Sequence, residues 1–114
     1  MKKTFIIFTI LTLITPIFAR PSWCRNAHTY VEKRICHNRY LMDLDYELAD
    51  VYYTLRDILK RIDRSLYREF IQNEKDWIRD RNTACYGMPD SCIERKYQER
   101  IDDLHYLLRK IRER

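Results

Sequence analysis

The sequence of 114 residues contains a single glycine and only three prolines. Phosphate-binding loops and dinucleotide-binding turns need several glycines, because only glycine lets the backbone approach a phosphate closely. The scarcity of glycine therefore argues against nucleotide-binding α/β folds and against β-barrels with glycine turns. What the chain has instead is 46% hydrophobic and 34% charged residues. This balance is typical of a helix-rich domain rather than of a disordered chain.

The chain also lacks an apolar run of the roughly 20 residues that a membrane-spanning helix needs. Its longest apolar stretch, Phe5 to Phe18, follows a basic start and precedes Ala19. Basic, apolar and small residues in this order are typical of a secretory signal peptide. We therefore predict a signal peptide at residues 1–19 and one mature domain at residues 20–114, which has no membrane contact after cleavage. A retained membrane anchor is the alternative.

Neither sign of charge dominates the predicted mature chain. Loss of residues 1–19 lowers the net charge from +5 to +3, with 20 basic and 17 acidic side chains remaining. The densest basic stretch, residues 56–68, is interrupted by Asp57 and Asp63. Alternating signs are typical of a solvated, ion-paired helix surface. The charge pattern does not indicate nucleic-acid binding.

Four cysteines form an even set in a chain predicted to be exported: Cys24, Cys36, Cys85 and Cys92. Oxidation to disulfides is expected in that setting. Three pairings are possible, and we favour the sequence-local one, Cys24–Cys36 with Cys85–Cys92. Each bridge would stabilise the fold by roughly 2.5–3 kcal/mol in the chain-entropy model. The absence of a C-x-x-C motif argues against thiol redox chemistry.

A metal site is the alternative use of the first two cysteines. His28 and His37 lie beside Cys24 and Cys36 in the sequence, which gives two thiols and two imidazoles. Their spacing matches no common zinc finger. We therefore predict disulfides and no metal ion or other cofactor.

The signals for helix starts and stops divide the mature chain into four helices. Thr29 and Glu32 form a capping box that opens a short helix ending near Cys36, and Asn38 can cap the next helix. In the second helix apolar residues recur at alternating steps of three and four, which defines one continuous stripe. The stripe consists of Leu41, Leu44, Leu48, Val51, Leu55, Ile58 and Ile62.

The apolar stripe loses its phase after Ile62, which predicts a break near residues 63–65 with either Asp63 or Ser65 as the cap. A third helix then directs Leu66, Phe70, Trp77 and Ala84 inward and ends by Tyr86. Gly87 suits the left-handed position after a helix, and Pro89 prevents its continuation.

A fourth helix, capped by Asp90 or Ser91, presents an apolar stripe of its own: Ile93, Tyr97, Ile101, Leu104, Leu108 and Ile111. No strand pattern is present. The predicted fold is an all-α bundle of three main amphipathic helices, a short N-terminal helix and two disulfides.

Two charged residues border the predicted core. Asp45 follows Leu44 at the edge of the stripe, and Arg81 lies one turn after Trp77. Charged groups beside a core usually pair, and the planar guanidinium of arginine suits a carboxylate. We predict that Asp45 and Arg81 join the second and third helices as a structural ion pair. Contact of Arg81 with the carboxylate of a partner is the functional alternative.

No catalytic motif stands out. The three serines lie at predicted caps or termini without a nucleophile elbow, and the three histidines are scattered. Sequence spacing alone does not establish a working acid–base pair of carboxylates. We therefore predict that the protein is not an enzyme.

The order of residues resembles a known family. Its first half contains Trp23-Cys24, Val31-Glu32, Ile35-Cys36 and Leu41-x-x-Leu44-Asp45-x-x-Leu48. Its second half contains Gln72, Trp77-x-x-x-Arg81-x-x-x-Cys85, Cys92-Ile93, Tyr97, Arg100-Ile101 and Leu104. Together these residues resemble the lysozyme-inhibitor LprI-like family of small exported bacterial proteins. The resemblance covers nearly all of the predicted mature chain.

The resemblance implies a helical, disulfide-bonded periplasmic or secreted protein that binds another protein, with lysozyme or another cell-wall hydrolase as the expected partner. It identifies no inhibitory residue. A net charge of +3 would not attract a cationic lysozyme over long distances, so inhibition would depend on local contacts. An arginine that meets the catalytic carboxylates, or an acidic patch of Asp43, Asp45 and Glu47, could supply them. An envelope immunity or stress protein and a small-ligand carrier are the alternatives, and the oligomeric state stays open.

Overall fold

The computed structural model describes residues 20–113, so the predicted signal peptide at residues 1–19 lies outside the described residues. A 3-10 helix at Ser22–Asn26 precedes four α-helices: α1 (Tyr30–Cys36), α2 (Arg39–Ile62), α3 (Arg64–Ala84) and α4 (Asp90–Arg112). The described part of the chain forms no strand. The predicted all-α class, with three long helices behind a short one, is confirmed.

Three of the predicted helix caps are present. Thr29 and Glu32 form the reciprocal capping box of α1, and the Asn38 side chain accepts a hydrogen bond from the Leu41 amide at 3.2 Å. Asp63 ends α2, because its amide donates to the Leu59 carbonyl, and it caps α3, because its carboxylate accepts from the Leu66 amide at 3.0 Å. The break predicted from the loss of phase is therefore confirmed, with Asp63 as the cap.

The predicted cap of α4 is wrong. Pro89 occupies the N-cap position without a side-chain hydrogen bond, and Asp90 is the first helical residue. The Asp90 carboxylate instead accepts from the Arg34 guanidinium at 2.8 and 2.9 Å and from the Asn38 side chain at 3.0 Å. The start of α4 is thereby tied to α1 and α2, which are more than 50 residues away in the sequence.

Both disulfides have the predicted sequence-local pairing, Cys24–Cys36 and Cys85–Cys92. The first joins the 3-10 helix to the end of α1. The second spans the turn between α3 and α4, where Gly87 adopts the left-handed backbone conformation that favours glycine, with φ of 69°. Two crosslinks thus hold the same end of the bundle.

The apolar core is formed chiefly by α2 and α4, with Val31 and Ile35 of α1 packed against them. Among the apolar side chains of α3, only that of Phe70 is buried. Three residues predicted to face inward do not: Ile62 is 61% exposed, Leu66 is 47% exposed, and Ala84 is exposed. Ile62 and Leu66 flank the break at Asp63, where α2 and α3 run past the end of the core.

The described helices include none that is both long enough and apolar enough to span a bilayer.

Candidate functional site

Two arginines are buried where α3 faces α4. Arg81 is 4% exposed and Arg100 is 9% exposed. A buried guanidinium is costly unless it is paired and hydrogen-bonded, so these side chains need partners from neighbouring helices. The partners define a group of interacting side chains, here called the polar cluster. It consists of Trp23, Asp45, Asn73, Glu74, Trp77, Arg81, Asn82, Tyr97 and Arg100.

One half of the polar cluster is centred on the hydroxyl of Tyr97, a fully buried residue of α4. Arg81 donates to this oxygen at 2.8 Å, and the hydroxyl donates to the Asp45 carboxylate at 2.8 Å. The second carboxylate oxygen of Asp45 accepts from the Trp23 indole at 3.3 Å. These bonds connect the 3-10 helix, α2, α3 and α4 through four side chains.

The other half is an ion pair between Arg100 of α4 and Glu74 of α3. The guanidinium donates to one Glu74 oxygen at 2.9 and 3.2 Å and to the Asn73 side chain at 2.7 Å. The side chains of Arg100 and Glu74 are 10% and 14% exposed, so this salt bridge is largely shielded from water. It is the least exposed of the salt bridges among the described residues.

Trp77 lies between the two halves. Its ring meets that of Tyr97 edge-on with centroids 5.2 Å apart. The guanidinium carbons of Arg81 and Arg100 lie 5.6 and 5.9 Å from the Trp77 ring centroid, within cation–π range. The Trp77 indole is therefore in contact range of both buried guanidinium groups.

Burial governs ionisation inside the polar cluster. It raises the pKa of the Tyr97 hydroxyl, because the phenolate would lose its hydration, and the nearby Arg81 only partly offsets this rise. Burial also raises the pKa of Glu74, and the charge and hydrogen bonds of Arg100 oppose that effect. At neutral pH Tyr97 is thus a neutral hydroxyl that both donates and accepts.

The buried polar atoms of the polar cluster all have hydrogen-bond partners. Among the described residues every buried side-chain nitrogen and oxygen has a hydrogen-bond partner. These shared hydrogen bonds brace the 3-10 helix, α2, α3 and α4 against one another.

The predicted pair of Asp45 and Arg81 is brought together, but indirectly. The salt bridges of residues 20–113 do not include this pair, since the Tyr97 hydroxyl lies between the two groups. The sequence analysis missed this role because Tyr97 was counted as an apolar member of the α4 stripe. It also missed Glu74 and Arg100. Arg100 comes one turn after Tyr97, just as Arg81 comes one turn after Trp77. The expectation that a charged residue beside the apolar stripe is paired would therefore have applied to Arg100 as well.

The predicted acidic patch of Asp43, Asp45 and Glu47 does not form. Asp43 and Glu47 are exposed, one turn apart on α2. Asp45 points away from them because residues two positions apart lie on nearly opposite sides of a helix. Its carboxylate is bonded to Tyr97 and Trp23 instead.

The alternative metal site has no free thiols to bind a metal ion. Cys24 and Cys36 are bonded to each other, and the structure brings no group of three or more potential ligands together within residues 20–113. His28 and His37 are exposed, and each ring contacts a backbone carbonyl close in sequence.

A groove of about 440 Å³ runs between α2 and α3 on the side of the polar cluster nearest the 3-10 helix. Aromatic side chains line much of it, among them Trp23, Tyr46, Tyr52 and Tyr53. Asp45 and Glu74 also reach the groove, and Lys75 lies beside them.

The end of the bundle opposite the two disulfides carries an excess of positive charge. We define the apex as residues 56–69 and 106–113, which comprise the end of α2, the start of α3 and the end of α4. The apex holds eight basic and four acidic side chains, a net charge of +4. The rest of the described chain holds 11 basic and 13 acidic side chains, a net charge of −2. A modest total charge therefore conceals a marked separation of charge.

The fold and the polar cluster define a class of protein, a small disulfide-bonded helical bundle with an internal polar brace. The comparison with family models gives one match, to the family described as "Lysozyme inhibitor LprI", over residues 24–104. The chain belongs to this family. No curated protein and no solved structure gives a significant match.

Proposed function

We propose that the protein is an exported, non-enzymatic binding protein that inhibits lysozyme or another cell-wall hydrolase. The observation that carries this proposal is the family match, which spans all four cysteines and the whole polar cluster apart from Trp23. The family is named for inhibition rather than for catalysis. Because the side chains of the polar cluster are bonded to one another, the outer surface is left to contact a partner.

Export is supported by the covalent structure. Two disulfides involve all four cysteines of the chain, and disulfides persist in oxidising compartments such as the periplasm or the extracellular space. The signal-peptide pattern at residues 1–19 agrees with this location.

The test is a turbidity assay of peptidoglycan lysis with the oxidised, processed protein. Lysozymes of several types are each incubated with increasing amounts of protein before the substrate is added. We expect slower clearing by at least one lysozyme at a molar excess of about tenfold or less. A heat-reduced, alkylated sample serves as the control for nonspecific effects of a basic protein. Unchanged clearing at a hundredfold excess over every lysozyme would remove the proposal.

A small-ligand carrier is the second candidate, and the groove between α2 and α3 favours it. A volume of about 440 Å³ with an aromatic lining falls within the range typical of ligand sites. Trp23 reports on the groove by its fluorescence, provided that Trp77 is first replaced by phenylalanine. Saturable quenching by a periplasmic small-molecule extract, without inhibition of any lysozyme, would favour the carrier.

A further inference from the structure

Several basic side chains at the apex have no acidic partner among the described residues. Lys60, Arg61, Arg64 and Arg68 are exposed, and none of them takes part in a salt bridge within residues 20–113. The sequence pattern had indicated an ion-paired surface here. The structure differs because Asp63 uses its carboxylate to cap α3, while Asp57 pairs with Arg56.

The apex also exposes large apolar side chains between these charges. Ile62 and Leu66 lie on either side of Asp63 and are 61% and 47% exposed. Beside them Leu59, Phe70 and Leu107 line a shallow depression of about 280 Å³. An apolar centre with a rim of arginine is a composition enriched in protein–protein interfaces.

Arg64 is placed against the helix dipole. It occupies the first position of α3, a helix with no acidic residue in its first turn. The N-terminus of a helix carries partial positive charge, so a basic residue is unfavourable there. The position of Arg64 therefore gains nothing from the helix dipole, and the adjacent Asp63 carboxylate offsets only part of the unfavourable charge.

We propose that the apex is the inhibitory surface, which enters the substrate cleft of a cell-wall glycosidase so that Arg64 and Arg68 meet its two catalytic carboxylates. This inference rests on the proposed function. Residues four apart on a helix stand about 5–6 Å apart at their Cβ atoms. The two carboxyl groups of a glycosidase are separated by about 5–9.5 Å, which long arginine side chains can match. A guanidinium binds a carboxylate with two parallel hydrogen bonds.

The shape and the charge of the rest of the molecule agree with this orientation. Only one residue joins α2 to α3, and the two helices pack against each other, so the chain turns sharply at the apex. A lysozyme that is cationic outside its cleft would then face the part of the chain with a net charge of −2, while the apex with its charge of +4 meets the acidic cleft. This orientation reduces the long-range repulsion between the net positive charge of the protein and a cationic lysozyme.

The first experiment compares charge reversals in the oxidised full mature chain. The double variant Arg64→Glu with Arg68→Glu removes the proposed contacts. The matched control is the double variant Arg25→Glu with Arg95→Glu, because both residues are exposed arginines outside the apex and the change in net charge is the same. We expect the double variant to inhibit c-type lysozyme at least tenfold more weakly and the control to stay within twofold of the parent. If Arg64 stabilises the fold, the double variant should have a lower Tm than the parent. The unfavourable position of Arg64 at the helix N-terminus instead predicts an unchanged or higher Tm.

The second experiment measures binding by titration calorimetry to c-type lysozyme with both catalytic carboxylates changed to amides. We expect affinity at least tenfold weaker than for the unchanged enzyme, because the carboxylate partners are lost. Equal affinity would overturn the inference.

Parent-level inhibition by the double variant would also overturn the inference while leaving the proposed function intact. Failure of the parent protein to inhibit any lysozyme would remove both the inference and the proposed function. Apex-dependent binding to vesicles of anionic phospholipid, without lysozyme binding, would assign the apex to a membrane surface and overturn the inference as well.

Discussion

The two ends of this bundle are built on different principles. The end that holds the 3-10 helix and the α3–α4 turn is here called the braced end. Two disulfides crosslink neighbouring segments there, and the Arg34–Asp90 pair joins segments 56 residues apart. At the apex, α2 and α3 are joined by Asp63 alone, large apolar side chains reach solvent, and four basic side chains lack acidic partners within the described range. Crosslinks are thus concentrated at one end, whereas the opposite end exposes the side chains that we propose for binding.

The polar cluster lies between these regions and should be the most sensitive to mutation. We expect Arg100→Ala to destabilise the protein by about 3–5 kcal/mol, because it leaves the buried Glu74 carboxylate without its partner. Arg68→Ala, which removes an exposed and unpaired arginine at the apex, should change stability by less than about 0.5 kcal/mol. Urea denaturation of both variants measures the difference. Similar losses would show that the two regions do not differ as described.

The disulfide at the α3–α4 turn should have the next largest effect. Replacing Cys85 and Cys92 together with serine should reduce stability by about 2–3 kcal/mol, since the bridge closes a short loop and both sulfurs are buried. Native-state hydrogen exchange locates the loss. Amides of the turn and of the start of α4 should lose protection before those of α2, and a uniform loss would argue against a locally braced end.

The Tyr97 hydroxyl offers a smaller and more specific test. Tyr97→Phe should cost about 1–3 kcal/mol, because Arg81 and Asp45 both lose a buried hydrogen bond. Tyr67→Phe is the matched control on α3, where the half-buried hydroxyl makes no hydrogen bond within residues 20–113. Thermal unfolding of the two variants is the measurement. A Tm of Tyr97→Phe equal to that of the control would mean that the hydroxyl does not link the helices energetically.

The smallest expected effect is a pH dependence at the braced end. The hydrogen bond from Arg34 lowers the pKa of Asp90 below its ordinary value of 3.8. A carboxyl with a lowered folded pKa contributes stability that is complete above the unfolded value and is lost as the pH falls through the folded value. We therefore expect Asp90→Asn to lower the Tm by a few degrees at pH 7 and the difference to shrink below about pH 3.8.

Asp57→Asn at the apex is the comparison for this pH series, because the Asp57 side chain is more than half exposed and its salt bridge within residues 20–113 is to its neighbour Arg56. Its Tm difference from the parent should be small at all pH values. A difference for Asp90→Asn that does not begin to shrink as the pH falls below about 3.8 would attribute the effect to packing rather than to charge.

Local signals in the sequence were sufficient for most helix boundaries, and they favoured the cysteine pairing that the structure contains. The Thr29–Glu32 capping box, the Asn38 cap and the phase loss at Asp63 each depend on residues within one or two turns, and each is present in the structure. The cap of α4 was mispredicted because the Asp90 carboxylate is bonded to Arg34 and Asn38 rather than to its own helix. Hydrogen bonds to residues more than 50 positions away therefore took the place of the predicted cap.

The candidate site was less accessible from the sequence. Periodicity identifies which face of a helix is apolar, but it does not show where the neighbouring helix ends. Ile62 and Leu66 therefore continue the pattern and are still exposed. Similarly, Asp45 and Arg81 were recognisable at the core border, whereas the hydroxyl between them belongs to a residue that the pattern counts as apolar.

By itself the sequence determined the helical class, the positions of the helix breaks and the resemblance to an inhibitor family, because each depends on residues close together in the chain or on their order. The sequence favoured the local cysteine pairing, and the structure selected it from three possibilities. Tertiary structure alone decided the linkage through Tyr97, the burial of Arg100 against Glu74 and the separation of charge between the apex and the rest of the bundle. These features arise when α4 runs back along α2 and α3, which brings together side chains 16 to 52 residues apart.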